Sequence, residues 1–166
     1  MTDVDNQINK LNEEFMNRRD FLVKEGVVID NIPQGRSLEI VKILNLKTKT
    51  RIHIDMNLNH EEDVKDKMVI EEINIKDKKL NLLPLISQDI LIKFIEEYKV
   101  IEEFKPELPK FIEDILICTN SKCITKNCTS NSNLSKFRVI NKSPLLLRCV
   151  YCESKFNMTN LKLNIP

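Results

Sequence analysis

The sequence has few of the residues on which several common functional motifs depend. It contains only two glycines, Gly26 and Gly35, and no tryptophan. A phosphate-binding loop or a dinucleotide fingerprint needs several glycines at fixed spacing, because the backbone must approach the phosphates closely. Both motifs are therefore excluded. The two histidines, His53 and His60, lie among polar residues away from any nucleophile motif. The chain is therefore not expected to be an enzyme.

Long hydrophobic runs are also lacking. No stretch reaches the roughly 20 apolar residues that a membrane-spanning helix needs. The first five residues, Met1–Asp5, are acidic and contain no apolar core, which is unlike a secretory signal. We therefore expect a cytoplasmic protein that does not contact the membrane. In that compartment cysteines stay reduced, so clustered cysteines favour metal binding over disulfides.

The composition is that of a globular protein with two unlike halves. Hydrophobic residues make up 42% of the chain and charged residues 31%. The net charge is +1, yet residues 1–106 are acidic in balance, and residues 107–166 hold nine Lys/Arg against four Asp/Glu. Pro106 and Pro109 interrupt the chain where the sign changes. The sequence predicts an N-terminal extension (residues 1–19), a first domain (residues 20–106) and a second domain (residues 107–166).

Hydrophobic periodicity predicts an α+β protein. The first domain follows the order strand, helix, strand, strand, helix, strand, with one further strand. This is the ferredoxin-like split β-α-β pattern, an antiparallel sheet with two helices. Two short strands in the second domain predict a small all-β unit. The predicted segments are Val27–Ile29, Leu38–Leu46, Ile52–Leu58, Met68–Ile75, Asp77–Leu83, Ile90–Glu96, Tyr98–Phe104, Phe137–Ile140 and Leu145–Cys149.

Four of the five cysteines form two close pairs. Four residues separate Cys118 from Cys123, and two separate Cys149 from Cys152. A short spacing lets one tight turn direct two thiolates at a single ion, and two such turns supply the four tetrahedral ligands that zinc prefers. Four cysteines leave no open coordination position, which favours one structural Zn²⁺ per chain. A small unit also needs such a cross-link to fold.

Other roles for the cysteines stay open at the level of sequence. The two pairs are also compatible with two disulfides or with ordinary buried thiols. Cys128 lies as far beyond Cys123 as Cys123 lies beyond Cys118, so it is an alternative ligand by spacing. We expect it instead to be a free thiol in a loop rich in Ser, Asn and Thr.

Three segments resemble the regulatory chain of aspartate carbamoyltransferase. One resembles the first strand of that family, and the other two resemble the beginning and the end of its zinc domain. Together the resemblance covers roughly residues 20–160. The segments are Gly26–Pro33, Leu108–Pro109 with Ile115–Ile124, and Arg148–Glu153.

This resemblance implies a non-catalytic chain that regulates an enzyme of de novo pyrimidine biosynthesis. In the family, the first domain binds nucleotide effectors and forms regulatory dimers, and the zinc domain docks on the catalytic chain. The implied partners are the catalytic chain, a second copy of this chain and nucleoside triphosphates. Asn120 and Glu153, beside the cysteines, match positions expected at the catalytic-chain interface. Regulation would then be a linkage between effector binding and the state of the complex.

This sequence matches only part of the family's effector site. Asp30, Ile95, Tyr98 and Val100 match its positions in kind and suit ribose and base contacts. The phosphate side differs, because Val69 and Glu103 stand where the family has lysines, and Asn31 stands where it has a histidine. Lysines supply the point charges that phosphates need, and a glutamate would repel them. We therefore expect a weakened nucleotide response, with Lys93, Lys67 and Lys24 as substitute cations.

The alternative to the family assignment is a basic zinc ribbon that binds nucleic acid. Proteins that bind single strands without sequence preference stack the bases on aromatic side chains, and the second domain has few of these. In the family the same charges would meet the catalytic chain, so we expect no nucleic acid partner. The basic residues concerned are Lys122, Lys126, Lys136, Arg138, Lys142 and Arg148.

Overall fold

A computed structural model describes residues 23–46, 49–56, 65–71, 78–127, 135–157, 160 and 162–163. The predicted extension 1–19 and Cys128 lie outside these residues. The chain divides into two compact units. We call Met1–Ser37, Lys47–Asp77 and Asp89–Lys105 the sheet unit. We call Leu38–Leu46, Lys78–Gln88 and Pro106–Pro166 the cysteine unit.

The sheet unit contains a five-stranded antiparallel sheet. Its strands lie in the order β2-β3-β1-β4-β5. The first four strands have the order and connections of the ferredoxin-like fold, and β5 is added at one edge, so the predicted fold class is confirmed. The strands are β1 (Glu25–Ile32), β2 (Ile52–Asp55), β3 (Asp66–Glu71), β4 (Leu91–Glu96) and β5 (Lys99–Phe104).

Strand β1 lies at the centre of the sheet, and consecutive residues on both of its faces are buried. Val27, Val28 and Ile29 are fully buried, and Val28 belongs to an apolar cluster with Val69 and Ile95. Three consecutive apolar residues are typical of such a central strand. The polar-apolar alternation predicted for Ile52–Leu58 is seen in β2, which is an edge strand and is less buried.

Two helical segments follow β1 and β3 in the sequence. Helix α1 spans Ser37–Leu44, and a 3₁₀ helix spans Lys78–Leu85. The 3₁₀ helix corresponds to the predicted helix Asp77–Leu83 but continues through Pro84. Within the cysteine unit, the Lys79 Nζ atom donates a hydrogen bond to the last carbonyl of α1, that of Leu44, over 3.0 Å. This bond satisfies one of the carbonyls that a helix end leaves without an internal partner.

A buried carboxylate fixes the turn that follows β1. The Asp66 side chain is 1% exposed, and its Oδ2 atom accepts hydrogen bonds from the Gly35 backbone N–H at 2.9 Å and from the Ser37 hydroxyl at 2.8 Å. Gly35 has a φ of 75°, a conformation that glycine adopts without steric cost. Asp66 thus ties the beginning of β3 to the turn before α1.

The cysteine unit contains a four-stranded sheet in the order β10-β9-β8-β6 and a two-stranded sheet of β7 and β11. One face of the larger sheet is buried, and it carries Ile112, Phe137, Leu147 and Phe156 in the same apolar cluster as three of the cysteines. The elements are β6 (Phe111–Glu113), β7 (Leu116–Ile117), α2 (Ile124–Asn127), β8 (Lys136–Lys142), β9 (Leu145–Cys149), β10 (Lys155–Phe156) and β11 (Lys162–Leu163).

The 3₁₀ helix contributes to the cysteine unit. Leu85 belongs to the same apolar cluster as Leu108 and Leu116, and the Gln88 side chain donates a hydrogen bond to the carbonyl of Lys142. The predicted boundary after residue 106 therefore lies close to one border between the units, whereas the helical segments 38–46 and 78–88 belong to the unit that follows it. Among the described residues, no helix is both long and apolar enough to cross a membrane.

Candidate metal centre

The first cysteine pair lies on a tight turn after β7. Cys118 directly follows this strand, and the Cys123 backbone N–H donates to the carbonyl of Asn120 at 3.1 Å. The Asn120 Oδ1 atom also accepts a hydrogen bond from the Lys122 backbone N–H at 3.0 Å. An asparagine that bonds the backbone two residues further on is typical of such turns. Both thiols are buried, with Cys118 1% exposed and Cys123 fully enclosed.

The second pair lies on the turn between β9 and β10. The Glu153 backbone N–H donates to the carbonyl of Cys149, and the Cys149 backbone N–H donates to the carbonyl of Ser154, each at 3.0 Å. Glu153 has a φ of 59°, which reverses the chain direction within this short segment. The turn brings the Cys152 thiol back toward Cys149.

The two turns bring the four thiols together. All four Sγ atoms lie within 4.8 Å of one another. The Cys118 and Cys152 Sγ atoms are 3.6 Å apart, and those of Cys123 and Cys149 are 3.8 Å apart. A tetrahedral zinc site with Zn–S bonds of about 2.3 Å has ligand atoms about 3.8 Å apart. A disulfide would need sulfur atoms only about 2.0 Å apart. The spacing fits a closed zinc site.

A hydrogen bond joins the two turns independently of any ion. The Asn120 Nδ2 atom donates to the Ser154 hydroxyl over 3.0 Å. Such contacts around the ligands orient the thiols before a metal binds. Ser154 was not anticipated from the sequence, and its position two residues after Cys152 was the only available signal.

The surroundings of the thiols shift their pKa values in opposite directions. Burial raises the pKa of Cys118 and that of Cys149 above the ordinary value of a thiol, and neighbouring thiols add to this effect. Burial also acts against ionisation of Cys152, but hydrogen bonds from Ser154, Asn120 and Cys118 outweigh it and lower the pKa of Cys152 to about 6. Cys152 is the more exposed thiol of its pair. One thiol is therefore already a thiolate near neutral pH, as a first metal ligand should be.

The residues predicted for nucleotide binding lie in the sheet unit. The Lys93 Nζ atom is 2.7 Å from Asp30 Oδ2, and the Lys67 Nζ atom is 3.4 Å from Asp30 Oδ1. Ile95 is buried and pairs in register with Val100, which is 38% exposed. The structure therefore brings Asp30 and Lys93 into direct contact and makes Ile95 and Val100 neighbours.

Tyr98 lies at the hairpin between β4 and β5. Its side chain is 52% exposed, and its φ is 63°. Glu97, the other residue of this two-residue turn, has a φ of 46° and forms an ion pair with Lys24 at 3.1 Å. Lys24, one of the three substitute cations, is thus engaged at the hairpin and does not belong to the pair that contacts Asp30.

Fold and site together define a two-unit α+β protein in which a small β unit carries a closed metal centre. Residues 22–107 match the family model described as aspartate carbamoyltransferase regulatory chain, allosteric domain. Residues 110–162 match the model described as aspartate carbamoyltransferase regulatory chain, metal binding domain.

Curated relatives carry the same description. The chain is 38% identical over 136 residues to the aspartate carbamoyltransferase regulatory chain of Methanocaldococcus jannaschii, an alignment that covers 81% of this chain and 89% of the relative. It is 35% identical over 147 residues to that of Pyrococcus abyssi, with 86% and 95% covered. The chain belongs to the aspartate carbamoyltransferase regulatory chain family. It is a regulatory and not a catalytic chain, as predicted.

Proposed function

We propose that this chain binds one structural Zn²⁺ through Cys118, Cys123, Cys149 and Cys152 and thereby holds the surface that docks on the catalytic chain. The observation that carries this proposal is the grouping of the four Sγ atoms within 4.8 Å of one another in a matched metal-binding domain. Bound Zn²⁺ would cross-link the two turns and would take no part in chemistry. In zinc-finger peptides such binding contributes on the order of 10–16 kcal/mol, which is enough to decide whether a small unit folds.

The complex would also contain pairs of regulatory chains and would reside in the cytoplasm, where the thiols stay reduced. The dimer is the family's arrangement, and exposed apolar side chains on β5 and its hairpin support it. These side chains are Tyr98, Val100 and Ile101. Asn120 and Glu153 remain proposed interface residues. Glu153 has an exposed side chain, and Asn120 would act through the turn that it shapes.

Zinc-dependent assembly is tested by co-expression with the catalytic chain, followed by measurement of particle mass and zinc content. We expect a large complex with one zinc per regulatory chain. Cys149→Ser should abolish zinc binding and assembly of the complex, because a site with three thiols binds zinc much more weakly and leaves the β unit unfolded. Cys128→Ser is the matched control and should assemble normally. Assembly of the Cys149→Ser variant without zinc would contradict the proposal.

We also propose that the nucleotide response is weakened because the cations of the effector site are already neutralised. Lys93 contacts Asp30 and lies 3.9 Å from the Glu103 carboxylate, and Lys67 shares Asp30. Val69, at a lysine position of the family, is 8% exposed and part of an apolar cluster. A triphosphate would have to compete with two carboxylates for these lysines.

Calorimetric titration of ATP and CTP into the assembled complex tests this proposal. We expect the native chain to bind both weakly and Glu103→Lys to bind at least about tenfold more tightly, because one substitution removes a repulsive charge and adds an attractive one. Glu102→Lys is the matched control, because it makes the same change of charge one residue away, at a position that pairs with Phe94 and not with Lys93. Micromolar binding by the native chain would contradict the proposal.

A further inference from the structure

Ser154 lies on the second cysteine turn, and its main chain and side chain contact several groups of the metal centre. Its carbonyl accepts a hydrogen bond from the Cys149 backbone N–H at 3.0 Å. Its own backbone N–H and its hydroxyl both hydrogen-bond the Cys152 Sγ atom. The hydroxyl also accepts a hydrogen bond from the Asn120 Nδ2 atom over 3.0 Å. Ser154 therefore contacts both cysteines of its own turn and the turn that carries the other pair.

The contacts of the Ser154 hydroxyl differ from those of an ordinary serine in a turn. Serine is frequent in turns because its hydroxyl bonds the local backbone. The Ser154 hydroxyl instead contacts Asn120, which lies 34 positions earlier in the chain. A hydroxyl has one hydrogen to donate and can accept through its oxygen, so the bond accepted from Asn120 leaves that hydrogen for the Cys152 sulfur. The hydroxyl is thus a bridge between the first cysteine turn and one thiol of the second.

The thiol that this bridge contacts is the one that solvent reaches most easily. Cys118 and Cys149 are each 1% exposed, and Cys123 is fully enclosed. Cys152 is only partly buried. Release of a metal from a closed site with four ligands requires one ligand to leave and water or a chelator to take its position. Cys152 is therefore the ligand whose departure would begin the release of zinc.

The hydrogen bonds to Cys152 also differ from those to the buried thiols. The Cys118 Sγ atom accepts a hydrogen bond from the Asn120 backbone N–H, and the Cys149 Sγ atom accepts one from the Cys152 backbone N–H. These donors belong to the main chain of the same turn. Cys152 is contacted in addition by the side chains of Ser154 and Asn120. Its position therefore depends on two side chains that substitution can remove.

We propose that Ser154 is a positioning residue of the metal centre: its hydroxyl, oriented by Asn120, keeps Cys152 on the ion and so slows the release of zinc. This inference rests on the proposed zinc site, and it adds the residue that determines how long the metal stays bound. Hydrogen bonds to a charged acceptor are stronger than those to a neutral one, and the Cys152 thiolate of the loaded site is such an acceptor. Loss of comparable outer contacts weakens metal binding by about 10–100-fold.

The test is to load the full chain and its variants with zinc and to follow the transfer of zinc to an excess of a chromogenic chelator. Ser154→Ala should release zinc at least about tenfold faster than the native chain. Ser154→Thr should release it at nearly the native rate, because the hydroxyl is kept. Ser121→Ala is the matched control, since it removes an exposed hydroxyl from the other cysteine turn. Thermal unfolding in excess zinc shows that each variant is folded.

A double-mutant cycle separates the bridge from a general loss of stability. Asn120→Ala, Ser154→Ala and the double variant are compared by their rates of zinc release. If the hydroxyl acts together with Asn120, the second substitution removes a contact that the first has already broken. The double variant should then release zinc faster than the native chain by clearly less than the product of the two single effects.

Several results would overturn the inference. Release at the native rate by Ser154→Ala, or release by Ser154→Thr as fast as by Ser154→Ala, would show that the hydroxyl does not hold Cys152. Equal acceleration by Ser121→Ala would mean that any change in the turns loosens the site, and single effects that multiply would exclude the bridge. In each of these cases the native chain still binds zinc, and the proposed function stands. If the native chain binds no zinc, the proposed function and the inference both fail.

Discussion

Gly26 occupies a point where β1 passes too close to β3 for any side chain. A Cβ atom there would collide with the carbonyl oxygen of Ile70 and would lie 3.3 Å from the Glu71 Cα atom. Both obstacles are backbone atoms in the middle of a sheet and cannot rotate away. One of the two glycines in the sequence therefore occupies a position that has no room for a side chain.

Gly26→Ala should lower the free energy of unfolding by about 2–3 kcal/mol, since the strand must shift to relieve the collision. Gly35→Asn is a suitable comparison, because no atom lies near the position of a Cβ there and asparagine tolerates its positive φ. Urea denaturation measures both variants. A Gly26→Ala variant as stable as the native chain would show that β1 and β3 are not so close.

The thiols give zinc binding a defined pH dependence. Burial raises the pKa values of Cys118 and Cys149, and hydrogen bonds lower that of Cys152 to about 6, so at least the first two thiols carry protons at neutral pH when no metal is bound. Zn²⁺ must displace at least two protons between pH 6.5 and 8.5. Zinc affinity should therefore rise by at least about a hundredfold per pH unit in this window, as linkage requires.

Competition with a chelator of known affinity, corrected for the protonation of the chelator, measures this dependence. The sign follows from the direction of the shifts, because a raised thiol pKa favours the protonated, metal-free form as the pH falls. A zinc affinity that does not change across this window would mean that the thiols ionise before the metal arrives.

At the level of elements, the hairpin between β4 and β5 has a turn of unusual composition. Glu97 and Tyr98 both have positive φ angles, which defines the type I′ geometry that favours Asn-Gly. An L-residue with a side chain pays roughly 1 kcal/mol for each such position. A costly turn that presents an exposed tyrosine is consistent with a binding role for Tyr98.

Glu97→Asn with Tyr98→Gly should therefore stabilise the chain, with an unfolding free energy higher by about 1 kcal/mol. Thermal and urea denaturation of the zinc-loaded, nucleotide-free chain measure this effect. The same variant should bind nucleotide less tightly than the native chain, because the aromatic side chain is gone. A variant that is less stable than the native chain would show that the Lys24–Glu97 ion pair outweighs the strain of the turn.

Some features of the secondary structure and of the metal site could be predicted from local sequence patterns, and others could not. The five strands of the sheet unit and their order were predicted correctly, because burial on one or both faces leaves a periodic pattern and the connection lengths restrict the topology. In the cysteine unit only β8 and β9 were predicted, because β6, β7, β10 and β11 have two or three residues each and are too short to show a period. The grouping of Cys118, Cys123, Cys149 and Cys152 followed from spacing alone. Contacts such as Asn120 with Ser154, or Lys67 with Asp30, join distant parts of the chain and leave no local pattern, so only the structure reveals them.

The outer face of the four-stranded sheet is another feature that only the structure reveals. Arg138 and Arg148 were recognised as basic residues, but their pairing across β8 and β9, with Lys155 of β10 beside Arg148, depends on the register of these strands. A one-residue slip would move every side chain of a strand to the other face. The charge count of residues 107–166 marked the second domain as basic, and only the register of the strands shows that these three basic residues lie on one face.

At the scale of the molecule, the two units are not consecutive in the sequence. The cysteine unit takes its residues from 38–46, 78–88 and everything beyond 105. The prolines Pro106 and Pro109 are close to one border only, and the other borders carry no compositional signal. Amino-acid composition can indicate a linker between consecutive domains. It does not indicate which helical segments within the first domain's sequence belong to the other unit.

This interleaving has a consequence for any attempt to divide the chain into fragments. The main chain passes from one unit to the other five times. The segments on either side of these crossings include α1, the 3₁₀ helix and the strand β4 that carries Lys93. A fragment that begins at Pro106 therefore lacks two segments of the cysteine unit, Leu38–Leu46 and Lys78–Gln88. A fragment that ends at Lys105 keeps those two segments without the rest of their unit, so neither fragment is expected to fold as it does within the whole chain.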